Sequence, residues 1–187
     1  KVSGRAKYAA DLHFENALHG KILTSPIAHG RIRSIDTSRA KALPGVKLVL
    51  TGRDVPDITY GISPPRYDEH VLAKDKVRHV GDEVAAVIAV DERTAERALR
   101  LIDVDYEELP AVFNPMEAMR EGAPLVHEKY QRNINTVVDH HFGDCEKGFA
   151  EADHIREEEF VWNHVYQSPI EPHAAIALQH HGHGRRQ

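Results

Sequence analysis

The segment of residues 167–175 holds the side chains best suited to position or bind a ligand. Its carboxylate, Glu171, lies between Pro169 and Pro172, and His173 follows directly. Prolines fix the backbone, and the small residues that come next allow close approach of another group. Two interpretations stay open: Glu171 is a buried, hydrogen-bonded carboxylate of a site, or it belongs to a structural turn. Glu171, with His173 beside it, is the candidate binding residue of this segment.

Histidine is unusually frequent, with 14 residues among 187. His140 and His141 are adjacent, so on a strand they would point to opposite faces and could not share one metal ion. His180, His181 and His183 could chelate a transition metal as a flexible group, or they belong to a terminus without fixed structure. The pattern His-Glu-x-x-His is absent. We therefore predict no metal site, and a histidine-rich metal-binding protein is kept only as an alternative.

The single cysteine, Cys145, cannot form an internal disulfide or hold an iron–sulfur cluster with cysteine ligands alone. It follows Asp144 at a predicted helix start, where a thiol can become more acidic. No base lies at a fixed spacing from it, so we interpret Cys145 as a packing residue. Neither Gly-x-Gly-x-x-Gly nor the phosphate-loop pattern occurs. The residues alone therefore predict no catalytic residue.

The charge balance argues against nucleic acid as a partner. Asp and Glu number 29, Lys and Arg number 24, and the net charge is −5. A chain that binds a phosphate backbone needs an excess of positive charge. No apolar run approaches the roughly 20 residues of a membrane span. We expect a soluble, cytoplasmic protein of mixed α and β structure.

The first half of the chain alternates short strands with turns. Strands are predicted over residues 17–24, 28–35 and 46–50, and a short helix capped by Asp36 or Thr37 precedes the third. In the second strand, alternation places Ile32 and Ser34 on one face and Arg31, Arg33 and Ile35 on the other. Residues 53–70 contain three prolines and little periodicity. Loops of this length are usually functional or interfacial.

The order strand, helix, strand over residues 83–106 is the clearest argument for an α/β domain. Residues 83–90 are almost continuously apolar, which is typical of a strand covered on both faces. Asp91 caps a helix whose apolar positions are Ala95, Ala98, Leu99 and Ile102. Further strands are predicted over residues 76–80, 102–106, 136–142 and 153–166, and short helices over 115–119 and 145–150.

Four stretches resemble the N-terminal part of the large subunit of the molybdenum hydroxylases, the xanthine dehydrogenase and aldehyde oxidase family. They are residues 2–11 (VSGRAKYAAD), 18–32 (LHGKILTSPIAHGRI), 72–87 (LAKDKVRHVGDEVAAV) and 104–110 (VDYEELP). The resemblance implies an α/β hammerhead domain over residues 1–118. Phe142-Gly143-Asp144 and Glu171-Pro172-His173 resemble the start of the family's molybdenum-cofactor domain, which would occupy residues 119–187 together with a linker.

The resemblance also implies a function for the whole protein. It would be an oxidoreductase that uses a molybdopterin-type molybdenum cofactor, with iron–sulfur and flavin subunits or domains as partners. Tyr60-Gly61 before Asp68-Glu69, and Asn133-Ile134-Asn135, are similar to the 4-hydroxybenzoyl-CoA reductase branch. The family's Gly-Gly-Gly-Phe-Gly loop and its late catalytic glutamate are absent from these residues. We therefore expect scaffold and subunit-contact roles here, without a cofactor or turnover in the 187 residues alone.

An alternative interpretation belongs to a different class of function. The chain could be a stand-alone, non-catalytic interaction module with the hammerhead fold, which binds a partner through the long loop of residues 53–70.

Overall fold

Six strands of the computed structural model form two three-stranded antiparallel sheets. Residues 2–61, 67–163, 165–169, 171 and 173–178 are described. The first sheet has the order β1-β5-β3 and the second the order β4-β2-β6. The strands are β1 (His19–Thr24), β2 (Gly30–Asp36), β3 (Val46–Thr51), β4 (Lys76–Val77), β5 (Glu83–Ala89) and β6 (Asp103–Glu108).

Four α-helices accompany these strands. They are α1 (Ser38–Lys41), α2 (Glu92–Leu99), α3 (Pro115–Ala118) and α4 (Cys145–Ala150), and single 3₁₀ turns lie at Ala9–Asp11 and Gln131–Asn133. The mixed α and β prediction is therefore confirmed. The strands that flank α2 lie in different sheets, and every strand pair is antiparallel.

The chain divides into two compact units that do not follow chain order. One consists of Asn16–Asp139, and the other combines Lys1–Glu15 with His140–Gln187. All six strands belong to the first unit. The linear division that the sequence suggests at residue 118 stays a prediction.

The central strand β5 lies between two apolar clusters. Val87 and Ala89 are fully buried against a cluster that includes Ala95 and Ala98 of α2. Val84 is fully buried in the other cluster, with Val77 of the second sheet. Each buried valine of this kind contributes about 1.5–3 kcal/mol through the removal of apolar surface from water. The continuous apolar run of β5 is explained by burial on both faces.

Helix α2 begins where the sequence predicts and ends earlier. The Oδ1 atom of Asp91 accepts a hydrogen bond from the Thr94 N–H at 2.7 Å, which caps the first turn. Ala95 and Ala98 face the sheet, and their small side chains allow the helix to pack closely. The helix ends at Leu99, so Ile102 packs on the cluster from the connection to β6.

A β-bulge in β2 corrects the predicted facing of its side chains. Ile32 pairs with Tyr106 and Ser34 pairs with Asp105, which leaves Arg33 as the extra residue. A bulge of this kind shifts the alternation by one position. Ile35 therefore lies on the same side as Ile32, and both pack against the Val77–Val84 cluster.

Two predicted strands are wrong. No strand forms over residues 136–142, or over the described residues between 153 and 166. Val137 and Val138 are 78% and 71% exposed. A strand needs hydrogen bonds from a neighbouring strand, and alternation in a sequence does not reveal whether a neighbour exists. The strand predicted over residues 76–80 ends at Val77, because the Arg78 N–H donates to Asp82 in the turn that follows.

A buried lysine ties the segment after α3 to the second sheet. Lys76 of β4 is only 7% exposed. Its Nζ donates to Glu128 Oε1 at 2.7 Å and to the Leu125 carbonyl oxygen at 3.2 Å. The hydrogen bond from Lys76 lowers the pKa of Glu128 to about 2. Residues 125–128 therefore pack as part of the larger unit.

Gly52 allows a close backbone contact at the end of β3. A Cβ atom at this buried position would lie 2.6 Å from the Ala73 carbonyl oxygen and 2.8 Å from the Lys74 Cα. Only glycine permits this approach without a shift of backbone. The contact fixes residues 73–74 beside β3.

In the described part of the chain, no helix is long and apolar enough to cross a membrane.

Glu128→Gln should destabilise the chain by about 1–2 kcal/mol at neutral pH. The buried Lys76 ammonium would lose its carboxylate, but Glu128 is 59% exposed, so solvent screening reduces the cost. Because the folded-state pKa of Glu128 is depressed, its stabilisation is complete above 4.5 and is lost as pH falls toward about 2. Urea unfolding at several pH values should show the two proteins converging in acid. Glu121→Gln, at an exposed position, is the control, and an equal effect of both variants would refute the role of the pair.

Gly52→Ala should lower the free energy of unfolding by about 1–3 kcal/mol, because its Cβ would overlap the Ala73–Lys74 backbone. Gly20→Ala in β1 is the matched control, since nothing lies within 4 Å of its added Cβ. The urea midpoints of both variants measure the difference. Equal midpoints would show that residues 73–74 yield without cost.

Candidate functional site

A cleft of about 390 Å³ lies between the loop after β3, strand β4 and the segment after α3. We call it the loop cleft. Its lining is mainly charged and aromatic: Tyr60, Asp68, Glu69, His70, Ala73, Lys76, Arg78, His79, Asp82, Glu83 and His127. The sequence predicts a functional or interfacial loop over residues 53–70, and this loop supplies one wall.

Backbone hydrogen bonds close the base of that loop. The Tyr60 N–H donates to the Glu69 carbonyl oxygen at 2.9 Å, and the Glu69 N–H donates to the Tyr60 carbonyl oxygen at 3.1 Å. Lys74 Nζ lies 3.0 Å from Asp57 Oδ2, which attaches the start of the loop to the chain that leads into β4. These two contacts, Tyr60 with Glu69 and Asp57 with Lys74, each join a residue before 62–66 to a residue after it. Residues 62–66 themselves lie outside the described residues.

Two ring side chains of the loop cleft have pKa values shifted in opposite directions. Partial burial and the charges of Glu83 and Glu69 raise the pKa of Tyr60 above its ordinary value. Burial and the positive charge of Arg78 lower the pKa of His127. The His127 Nε2 lies 3.9 Å from Asp68 Oδ2, an attraction too weak to reverse that direction.

The loop cleft has a lining that can bind a ligand through ion pairs and hydrogen bonds. The lowered pKa of His127 favours its neutral imidazole, which can accept a proton. The described lining residues include no serine, threonine or cysteine.

Glu171 makes a specific contact within the smaller unit. Its Oε1 accepts a hydrogen bond from the Ala9 N–H at 2.8 Å, and the residue is half-buried. The Glu171 carboxylate therefore accepts a hydrogen bond from the first residue of the 3₁₀ turn Ala9–Asp11. His173 is exposed, and Pro172 lies outside the described residues. A direct role of Glu171 or His173 at a cofactor stays a prediction.

The other candidates from the sequence lie apart from the loop cleft. Cys145 is exposed at the first position of α4. His140 is exposed, with its ring 6.1 Å from that of Phe142. Among the described residues, no group of three or more His, Cys, Asp or Glu side chains could hold a metal ion. The tail histidines 180, 181 and 183 lie outside the described residues.

The described residues after 140 do not by themselves fit a bound cofactor. Apart from half-buried Glu171, those whose exposure is described are all exposed, and α4 is the one helix there. A cofactor site buries most of its ligand in a concave pocket.

Sequence reasoning missed the residues that organise the loop cleft. Lys76 and Arg78 lie in a stretch that resembles the family, but nothing in that stretch indicates a contact with Glu128, about 50 residues later. One sequence feature does point there: a lysine and an arginine on either side of Val77, followed by a Gly-Asp turn.

Two family models match the chain in succession. The aldehyde oxidase and xanthine dehydrogenase a/b hammerhead domain matches residues 3–110. The molybdopterin cofactor-binding domain matches residues 126–186.

Individual proteins show the same similarity. A probable xanthine dehydrogenase subunit of Bacillus subtilis is 39% identical over 95% of this chain, which corresponds to 24% of the relative. The carbon monoxide dehydrogenase large chain of Afipia carboxidovorans is 35% identical over 94% of this chain and 24% of its own. The chain thus spans about a quarter of the length of these relatives. The narrower resemblance to the 4-hydroxybenzoyl-CoA reductase branch stays a prediction.

Solved structures agree with the fold. A structure of the Cu,Mo-CO dehydrogenase aligns with 70% of this chain, which corresponds to 17% of the dehydrogenase chain. The TM-score is 0.61 and the sequence identity is 40%. The aldehyde oxidoreductase of Desulfovibrio desulfuricans covers 68% and 15% at a TM-score of 0.62 and 33% identity. The two family matches cover most of the chain and confirm the predicted family. The chain belongs to the aldehyde oxidase and xanthine dehydrogenase family.

Proposed function

We propose that this chain serves as scaffold and subunit contact in the large subunit of a molybdenum-dependent hydroxylase. Residues 1–118 would be the hammerhead domain, and residues 119–187 the linker and first part of the cofactor-binding domain. The order of the two family matches, 3–110 and then 126–186, supports this division.

The observation that carries the proposal is a set of uncovered apolar side chains after residue 140. Six large apolar residues are at least 70% exposed: Phe142, Phe160, Val161, Trp162, Val165 and Tyr166. Clustered exposure of this kind marks a surface that another part of an assembly covers. Since the relatives are about four times longer than the matched segment, the remainder of a large subunit is the cover we propose.

The cofactor of the whole protein would be of the molybdopterin type. When bound, it would supply the oxygen transfer and the two-electron change at an electron-poor carbon. Iron–sulfur and flavin subunits or domains would carry the electrons away. No substrate is proposed, since relatives bear names as different as carbon monoxide dehydrogenase and nicotinate dehydrogenase. The cytoplasm is the compartment we propose, because a chain with one cysteine gains no disulfide from an oxidising one.

Protein isolated from its source under native conditions should come as a complex that contains molybdenum. Residues 1–187 produced alone should hold far less than one molybdenum per chain and show no turnover, because the described residues after 140 are almost all exposed, whereas a cofactor site is concave. Elemental analysis and native mass measurement test both statements. Stoichiometric molybdenum in the isolated 187 residues would refute the scaffold role. A native product that carries neither molybdenum nor further subunits would favour the stand-alone interaction module.

For Glu171 we propose a positioning role toward the first turn of the chain. In the native complex, Glu171→Gln should keep the molybdenum content, because its carboxamide oxygen can still accept from the Ala9 N–H. Glu171→Ala should lose about 1 kcal/mol of local stability and speed protease cleavage near Ala9. Glu159→Gln, which removes an exposed charge nearby in sequence, is the control. Loss of molybdenum in Glu171→Gln with unchanged cleavage would instead indicate that the carboxylate contacts the cofactor.

A further inference from the structure

A second, smaller cleft of about 160 Å³ lies where β2 passes the end of β3 and the segment before β4. Its charged lining residues are Arg33, Arg53 and Lys74, and none of the described lining residues is acidic. Ile32 and Ile35 are also among the lining residues. We call it the cationic cleft. All three of its charged lining residues are positive, on a chain whose net charge is −5.

Two backbone features assemble this cleft from segments that are distant in sequence. The β-bulge at Arg33 leaves Arg33 and Ser34 both exposed, while Ile32 and Ile35 turn inward. Bulges frequently redirect side chains in this way. The close approach at Gly52 brings the backbone of Lys74 against the end of β3. Arg53, the next residue, therefore shares the cleft with Lys74.

The charges of the cleft are only partly neutralised. Lys74 Nζ lies 3.0 Å from Asp57 Oδ2, and Arg33 Nε lies 3.6 Å from Glu107 Oε2. Both carboxylates lie outside the lining. The Arg53 side chain has no ion pair or hydrogen bond to any residue that the structure describes. Its neighbour Asp54 accepts hydrogen bonds from the N–H and the hydroxyl of Thr51, which itself lines the cleft.

We propose that the cationic cleft binds a phosphoryl group, either inorganic phosphate or the phosphate of a small phosphomonoester. A phosphoryl group carries close to two negative charges and three acceptor oxygens. Guanidinium groups present forked donors to such oxygens, and an ammonium adds a point charge. The Ser34 hydroxyl can donate a further hydrogen bond. The cleft of about 160 Å³ has room for a phosphoryl group.

Calorimetric titration of the 187-residue chain tests the site. Inorganic phosphate, phenyl phosphate, sulfate and acetate are added at constant low ionic strength and about pH 7.5, where a phosphomonoester is close to doubly charged. Phosphate should bind with a dissociation constant of about 1 mM or below, and acetate at least tenfold more weakly. Tighter binding of phenyl phosphate would indicate a phosphomonoester as the ligand, and equal binding would indicate phosphate itself.

Matched variants connect the binding to the cleft. Arg53→Gln should weaken phosphate binding about tenfold or more, the usual effect of losing a hydrogen bond to a charged group. Arg53→Lys, which keeps the charge but loses the fork, should weaken it less. Arg100→Gln removes one exposed charge outside the cleft and should change binding less than twofold. Unfolding midpoints confirm that each variant is folded, which is expected because Arg53 is exposed and makes no side-chain bond to the described residues.

Three results would overturn the proposal. They are the absence of saturable phosphate binding, acetate binding as tight as phosphate, and equal weakening in Arg53→Gln and Arg100→Gln. The last would show a response to overall charge and not to the cleft. None of these results bears on the molybdenum content of the native complex, so the site and the scaffold role fail independently.

Discussion

Burial of β5 on both faces is the constraint on which the larger unit depends. Val87 joins the strand to the helices on one side, and Val84 joins it to the second sheet on the other. A strand so placed can accept little polar substitution along its whole length, which is why its sequence is apolar without alternation. The neighbouring strands β1 and β3 then pair with it from either edge. Both clefts lie in the unit that this packing holds together.

The elements of this unit could be predicted because each is specified locally. Asp91 caps α2, alternation indicates β6, and the apolar run indicates β5. The errors arise where structure depends on a partner elsewhere in the chain. The face of Ile35 depends on a bulge that only the pairing with β6 reveals. The grouping of Lys76 with Glu128 depends on a buried amine, and a lysine in a strand is far more often exposed.

The same distinction between locally specified features and features that depend on a distant contact applies to the candidate sites. The long loop is visible in the sequence as three prolines without periodicity, and it forms one wall of the loop cleft. The sequence does not indicate the cationic cleft, because about 20 residues separate Arg33 from Arg53 and about 20 more separate Arg53 from Lys74. A bulge in β2 and the close approach at Gly52 bring them together. Neither feature can be assigned its contact partner from the sequence. Chemistry that depends on such juxtaposition requires the fold before it can be recognised.

The bounds of the hammerhead match differ from the bounds of the compact units. The hammerhead match begins at residue 3, yet Lys1–Glu15 belong with the later residues and not with the sheets. The bond from the Ala9 N–H to Glu171 joins positions 162 residues apart. Closing so long a loop costs conformational entropy, and one hydrogen bond to a carboxylate offsets only about 1.5–3 kcal/mol of it. The apolar side chains exposed after residue 140 supply the remainder only if they are covered. Under the proposed scaffold role, the rest of a large subunit would cover these side chains and thereby help to hold the first turn of the chain in place.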